Sequence, residues 1–284
     1  MLPSSAALSA VLNTASYLAP GPAGRAAFRV FRLPLARSRP REAEAALMAR
    51  AEVGRLDVNG ESVVTYRWGD GARPVLLVHG WRSRGSRLAL FAAGLLERGY
   101  SPVAFDAPGH GDSTGRTTTV VEYREAIRLL HDLYGPFEAV VAHSVGVMAS
   151  FLALRDGVRA DRLAAIGGVC EFEYLVDEFC TALRLRPRLR QELRRLIEQR
   201  LFPGEPDFWT RFSVVHDPEA VKIPLLVVHD EQDELVGVDQ ARRIAAAYGD
   251  RARLVTTRGL GHQRILAGPE VVAAVLDFVT GSAD

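Results

Sequence analysis

The run Val140-Val141-Ala142-His143-Ser144-Val145-Gly146-Val147-Met148-Ala149 constrains this chain more than any other stretch. It begins as an apolar strand and continues as a helix, with no residues left for an ordinary loop between them. So sharp a turn lifts the Ser144 side chain above the edge of a sheet, and it demands small neighbours so that strand and helix can approach closely. Gly146 meets that demand two residues after the serine. Two residues before it stands Ala142, one methyl larger than the leading glycine of a G-x-S-x-G pattern. Two readings are open on these residues alone: an exposed nucleophilic serine, or a serine that simply opens a buried helix.

The surrounding pattern narrows the fold. Glu52 to Val58 and Ser62 to Trp68 alternate and are joined by Asn59-Gly60, a strong signal for an antiparallel hairpin. From Pro74 the character changes, because Val75-Leu76-Leu77-Val78 is continuously apolar, as a parallel strand covered on both faces should be. Helical and strand patterns then alternate through Leu88–Arg98, Pro102–Phe105, Val120–Tyr134, Ala139–His143, Val145–Leu154 and Leu163–Val169. They resume with Leu225–His229, Gln240–Tyr248, Leu254–Thr256 and Val271–Val279. That alternation predicts an α/β fold with a doubly wound, mostly parallel sheet.

Two segments stand outside the rhythm. Residues 1–50 read as a helical preamble broken at Pro20-Gly21-Pro22 and again near Pro34 and Pro40. Within it Phe28, Phe31 and Leu35 recur at helical spacing beside Arg25, Arg29 and Arg32, a basic amphipathic piece that suits a membrane surface or, more simply, packing on the body of the same protein. Residues 171–218 exceed the usual connection length and carry helical patterns of their own, so the reading is a short helical lid inserted after the strand near 163–169. The expected core is 51–170 with 219–284.

In open parallel sheets, ligands bind outside the carboxyl ends of the strands, so the residues following each apolar run enumerate the candidate site. His79-Gly80-Trp81-Arg82 follow the first such run, and Asp106 through Ser113 follow the second. Ser144 follows the central strand; Asp230, Glu231, Gln232, Asp233 and Glu234 come after Leu225–His229; Gly259-Leu260-Gly261-His262 come after the last strand. A nucleophile, an acid and a histidine therefore arrive in chain order at strand ends. Together with His79-Gly80 and the Asp106–Ser113 loop, this order resembles the α/β-hydrolase family over roughly residues 52–280, with a serine rather than the aspartate of its dehalogenase and epoxide-hydrolase branches.

The resemblance implies an acyl-transfer site with named parts. Ser144 would be the nucleophile, His262 its base, and Asp233 the partner of the other imidazole nitrogen, favoured over Asp230, Glu231 and Glu234 by its distance past the strand and by the apolar Val236 beyond. The backbone N–H groups of Trp81 and Val145 would form the oxyanion hole, with Arg82 as an alternative donor. His79, His110, Asp106 and Asp112 would shape their loops. Trp81, His143, Phe172, Phe208 and Trp209 are candidates for substrate contact. No metal or organic cofactor is needed.

Composition limits the alternatives. With 48% hydrophobic and 24% charged residues and a net charge of +1, the chain has no overall field that would attract nucleic acid. Cys170 and Cys180 fit neither a disulfide framework nor a zinc site. No apolar run is long enough to span a membrane, and the mildly apolar Ala6–Ala19 precedes the first arginine, Arg25, instead of following a basic segment, so the expected location is cytoplasmic. Residues 184–200 hold seven arginines against two glutamates, either a solvated helix face or a seat for an anionic acyl carrier. The expected function is a serine hydrolase of carboxylic esters acting on a small-molecule acyl substrate. A thioesterase or acyltransferase on the same residues, and a non-catalytic ligand-binding protein of the same fold, are the alternatives.

Overall fold

The computed structural model describes residues 5–34, 37–204 and 207–281. Among them eight strands form one sheet: β1 (Glu52–Val58), β2 (Glu61–Arg67), β3 (Pro74–Val78), β4 (Ser101–Phe105), β5 (Ala139–His143), β6 (Leu163–Ile166), β7 (Leu225–Asp230) and β8 (Ala252–Thr257). Their spatial order is β1-β2-β4-β3-β5-β6-β7-β8. The β1–β2 and β2–β4 pairs are antiparallel, and every later pair is parallel. The hairpin turns through Asn59 and Gly60, both at positive φ (55° and 84°), the conformation that the Asn-Gly pair supplies most readily.

The helices are α1 (Ser5–Leu18), α2 (Pro20–Phe31), α3 (Glu42–Met48), α4 (Ala89–Glu97), α5 (Val120–Tyr134) and α6 (Val145–Arg155). They continue with α7 (Phe172–Ala182), α8 (Pro187–Leu201), α9 (Phe208–Arg211), α10 (Val238–Tyr248), α11 (Gly261–Arg264) and α12 (Pro269–Thr280). The preamble breaks where expected, between α1 and α2: Pro20 and Pro22 start α2, because a proline in the first turn gives up an N–H that has no partner there anyway. One local expectation changes. The strand expected to reach Val169 ends at Ile166, where Gly167 turns the chain at φ 54°.

The chain divides into two compact units, Pro34–Cys170 with Val214–Asp284, and Met1–Leu33 with Glu171–Ser213. The first carries the whole sheet. Strands β4 to β7 are buried along their length and β3 from Val75 onward, which is why they read as uninterrupted apolar runs. Helices α4 and α12 pair with one another, as do α5 and α6.

In the other unit α2 packs on α8, with Gly24 at the contact, and its small residues Ala23 and Ala27 are buried. A Cβ on Gly24 would stand 2.1 Å from Cγ of Glu192, so only glycine permits this approach. Phe31 meets Phe172 and Phe179 edge-on, at centroid distances of 6.3 and 5.2 Å. Leu35, the third residue of the amphipathic pattern, lies outside the described residues. Among the described residues, no helix is long and apolar enough to cross a membrane.

Within the sheet-bearing unit, Gly146 sits where α6 starts against the end of β3. A Cβ there would lie 2.8 Å from the carbonyl oxygens of both Val78 and His79, backbone atoms that cannot swing aside. Alanine normally favours a helix over glycine by about 1 kcal/mol, but overpacking of this kind costs about 1–3 kcal/mol. Gly146→Ala is therefore expected to lower stability, by up to about 2 kcal/mol, as a reduced midpoint in urea unfolding; a raised midpoint would contradict the close approach.

Candidate active site

Ser144 stands between β5 and α6 with φ 57° and ψ −125°, a left-handed conformation that residues with side chains avoid. Its N–H bonds the carbonyl of Ile166 at 3.0 Å, and its own carbonyl accepts the N–H of Val147 at 3.0 Å. Gly80 leaves the space the serine needs, since a Cβ at that position would stand 2.7 Å from Ser144 Cβ. Ala142, which replaces the leading glycine, is fully buried between Val78 of β3 and Ala165 of β6.

The histidine arrives from the far end of the sheet. Beyond β8 the chain turns through Gly259 and Gly261, at φ 90° and 65°, and α11 presents His262. Its Nε2 lies 3.0 Å from Ser144 Oγ, and its Nδ1 lies 2.6 Å from Asp233 Oδ2. A carboxylate only accepts, so Nδ1 carries the proton and Nε2 is left to accept from the hydroxyl. The Asp233 side chain is buried, and its other oxygen accepts the N–H groups of Leu235 (2.8 Å) and Val236 (2.9 Å). Burial pushes its pKa upward, but the His262 hydrogen bond and these two N–H groups outweigh that and hold it below the ordinary carboxylate value.

Val145 opens α6, so its N–H has no carbonyl one turn back within the helix. Trp81 follows Gly80, the residue packed against Ser144. The N–H of Arg82 is committed, because it donates to Nε2 of His110 at 3.0 Å. Sheet order, strand-end placement and these contacts make one arrangement, and the profile of the alpha/beta hydrolase family matches residues 75–275.

The chain belongs to the α/β-hydrolase family.

Its relatives are distant. A non-heme chloroperoxidase of Kitasatospora aureofaciens is 24% identical over 72% of this chain and 90% of its own. Among solved structures, an esterase of Pyrococcus furiosus shares 19% identity with a TM-score of 0.64, covering 88% of this chain and 97% of its own. Mouse alpha/beta hydrolase domain-containing protein 10 shares 17% identity with the same TM-score, over 82% of this chain and all of the other. A thioesterase domain from the curacin biosynthetic pathway shares 17% at a TM-score of 0.58, over 81% and 99%.

In this α/β-hydrolase the remaining polar residues near the strand ends hold loops. His79 donates from Nδ1 to the Gly80 carbonyl (2.7 Å) and accepts the Ala107 N–H at Nε2 (3.0 Å). His110 donates from Nδ1 to Pro108 O (3.1 Å). Burial, the largest cause in each case, pulls His79 to about 4 and His110 to about 3, so both rings are neutral at pH 7. Asp106 is fully buried and accepts from Gly85 N (2.8 Å), Asp112 N (2.8 Å) and Tyr66 Oη (2.9 Å), while Arg84 bonds Asp112 at 2.6 Å. Arg37 closes the same loop by donating to the carbonyls of Gly111 (2.9 Å), Gly115 (2.8 Å) and Ser113.

His143, Phe172, Phe208 and Trp209 each have partners of their own. His143 is buried, and its Nε2 faces the carbonyl of His262 at 2.9 Å. Phe172, Phe208 and Trp209 belong to the second unit and build its aromatic cluster with Phe202 and Phe212. Phe208 and Trp209 also line a cavity of about 870 Å³ there, with Phe202 and Glu198. Beside the site, a polar cavity of about 530 Å³ is lined by Gln232, Asp233, Glu234, Gly259, Gly261 and Arg264. Ser144 does not line it.

One residue escaped the sequence reading, and Asp230, weighed there as an alternative acid, has another role. His229, inside the apolar β7 run, donates from Nε2 to Val236 O at 2.8 Å and so closes the loop around Asp233; a histidine within such a run was the available signal. Asp230 accepts from Gln232 N (3.0 Å), Thr257 Oγ1 (2.8 Å) and Leu260 N (3.0 Å), which ties the His262 loop to β7. Burial raises its pKa, yet the N–H of Leu260, the Thr257 hydroxyl and further backbone N–H groups prevail and bring it to about 2. The charged form is thus favoured by folding. Its stabilising contribution is complete above the unfolded carboxylate range near about 4 and fades as pH falls toward 2. Asp230→Asn should lower stability at pH 7, with the deficit against wild type shrinking between pH 4 and 2 in urea melts; a deficit independent of pH would contradict this role.

Proposed function

We propose that the protein is a serine hydrolase that cleaves a carboxylic ester, or a related acyl bond, through an acyl-enzyme. The observation that carries the reading is the unbroken chain of hydrogen bonds from Ser144 Oγ to His262 Nε2 (3.0 Å) and from His262 Nδ1 to Asp233 Oδ2 (2.6 Å). A serine hydroxyl is a weak nucleophile at its own pKa and needs a base within this reach. As Ser144 Oγ attacks the carbonyl carbon, its proton passes to His262 Nε2, and the carbonyl π electrons move onto oxygen. The N–H groups of Val145 and Trp81 receive that oxyanion, and Asp233 stabilises the imidazolium. The imidazolium then protonates the leaving alkoxide, the C–O bond to it breaks, and Ser144 is left acylated. Water, deprotonated by His262, repeats the sequence and frees the acid. These steps use no metal or organic cofactor.

The ester reading is favoured over an anionic acyl carrier because three of the seven arginines of 184–200 already spend their charge on carboxylates of this chain. Arg194 pairs with Glu173 at 2.5 Å, Arg195 with Glu192 at 2.5 Å, and Arg190 with Asp177 at 3.7 Å. A non-catalytic binding protein would gain nothing from the backbone strain at Ser144, which speaks for a reactive serine.

Acyl esters of graded chain length, assayed with wild type, Ser144→Ala and Asp233→Asn, test the proposal. Ser144→Ala is expected to lower kcat/KM by at least about 10³-fold, and Asp233→Asn by about 10³–10⁴-fold through loss of the correct tautomer. Hydrolysis that survives in Ser144→Ala, or its absence from wild type across the whole panel, would overturn it.

A further inference from the structure

We infer that His143, the residue immediately before Ser144, is a positioning residue that holds His262 in place through the main-chain carbonyl of His262. The inference deepens the hydrolase reading and rests on it.

His143 is 3% exposed. Its Nε2 stands 2.9 Å from the His262 carbonyl oxygen, which can only accept, so Nε2 carries a proton. Burial above all, then the neighbouring His262, draws the His143 pKa down to about 3. The ring is therefore neutral, and Nδ1 is a bare lone pair. That atom is buried and, among the described residues, has no hydrogen-bond partner. It faces Gly80, where a Cβ would stand 3.0 Å from Nδ1.

A buried polar atom left unpaired costs stability, and leucine or methionine would occupy much of the same space without that cost. What the imidazole provides in return is one hydrogen bond, directed at the residue that bridges Ser144 and Asp233. The two rings also lie against each other, with centroids 4.7 Å apart and planes inclined at 43°. His262 is thereby joined to the nucleophile turn twice, once by its side chain to Ser144 Oγ across 118 positions in sequence and once by its carbonyl to His143 across 119.

The second link matters because the first is transient. Once Ser144 Oγ has bonded the substrate carbon it no longer holds a proton for His262 Nε2, yet the imidazole has to stay in place, first to protonate the leaving group and then, in the acyl-enzyme, to deprotonate water. The His143 link involves no reacting atom and persists through those steps. A neutral ring at this position also puts no second positive charge beside His262 when that residue becomes an imidazolium.

The rate at which a fluorophosphonate probe labels Ser144 reads this positioning without knowledge of the substrate. His143→Leu and His143→Asn remove or misplace the donor and should label at about a tenth to a hundredth of the wild-type rate, the loss expected when a base is displaced by about 1 Å. His143→Gln, whose amide N–H can reach the same carbonyl, should restore most of that rate. Thermal melts of all four proteins accompany the labelling; the Asn and Gln variants, both polar, carry the comparison should the Leu variant fail to fold. A folded Leu or Asn variant that labels as fast as wild type, or a folded Gln variant as slow as Asn, overturns the positioning role alone. Failure of wild type to label at Ser144 overturns the hydrolase reading beneath it.

Discussion

Everything at this site depends on a backbone conformation that Ser144 holds against its own preference. A left-handed φ at a residue with a side chain costs about 1–3 kcal/mol and persists only where the surroundings over-determine it. Here the surroundings are three neighbouring parallel strands. The Ser144 N–H is bonded to Ile166 at the end of β6, and α6 presses Gly146 onto the terminal carbonyls of β3. The absence of side chains at Gly80 and Gly146 is what makes the turn sterically possible. The serine is thus placed by a sheet whose central strands are among the most buried in the molecule.

The loops around that turn are held by polar groups with divided duties. Asp230 ends β7 and Asp233 lies three residues beyond it, and their roles differ because of the donors each meets. Asp230 is saturated by backbone N–H groups and a threonine hydroxyl and serves as an anchor. Asp233 spends one oxygen on backbone N–H groups and keeps the other for His262. The buried histidines follow a similar logic. His79, His110 and His143 are kept neutral by desolvation, so each can donate one N–H to a main-chain carbonyl without bringing charge into the site.

The parallel sheet and the strand-end positions of Ser144, Asp233 and His262 were legible because two physical rules act on sequence directly, while the grouping of those three residues came from the α/β-hydrolase resemblance. Strands covered on both faces become uninterrupted apolar runs, and ligand-facing residues follow their carboxyl ends. What lay beyond those rules was harder to read. An apolar helix face does not name its partner, so nothing in Ala23, Gly24, Ala27 or Phe31 revealed that α2 would pack with α8 and α7. Aromatic residues such as Phe172 and Phe208 serve a core or a ligand with the same composition, and here they cluster with one another. The direction of His143 was equally hidden, because its partner is a carbonyl 119 residues away rather than a side chain. Arg37 closes the Asp106–Ser113 loop through backbone oxygens, contacts that leave no mark in a pattern of residue types.

The central claim is that this turn presents Ser144 toward His262 on one side and toward the N–H groups of Val145 and Trp81 on the other. A crystal structure of the protein after reaction with a phosphonate ester tests it most directly. The account predicts phosphorus bonded to Ser144 Oγ, with one phosphonyl oxygen within roughly 2.7–3.1 Å of both N–H groups. Phosphorus on any other residue, or an adduct at Ser144 whose oxygens turn away from Val145 and Trp81, would contradict it.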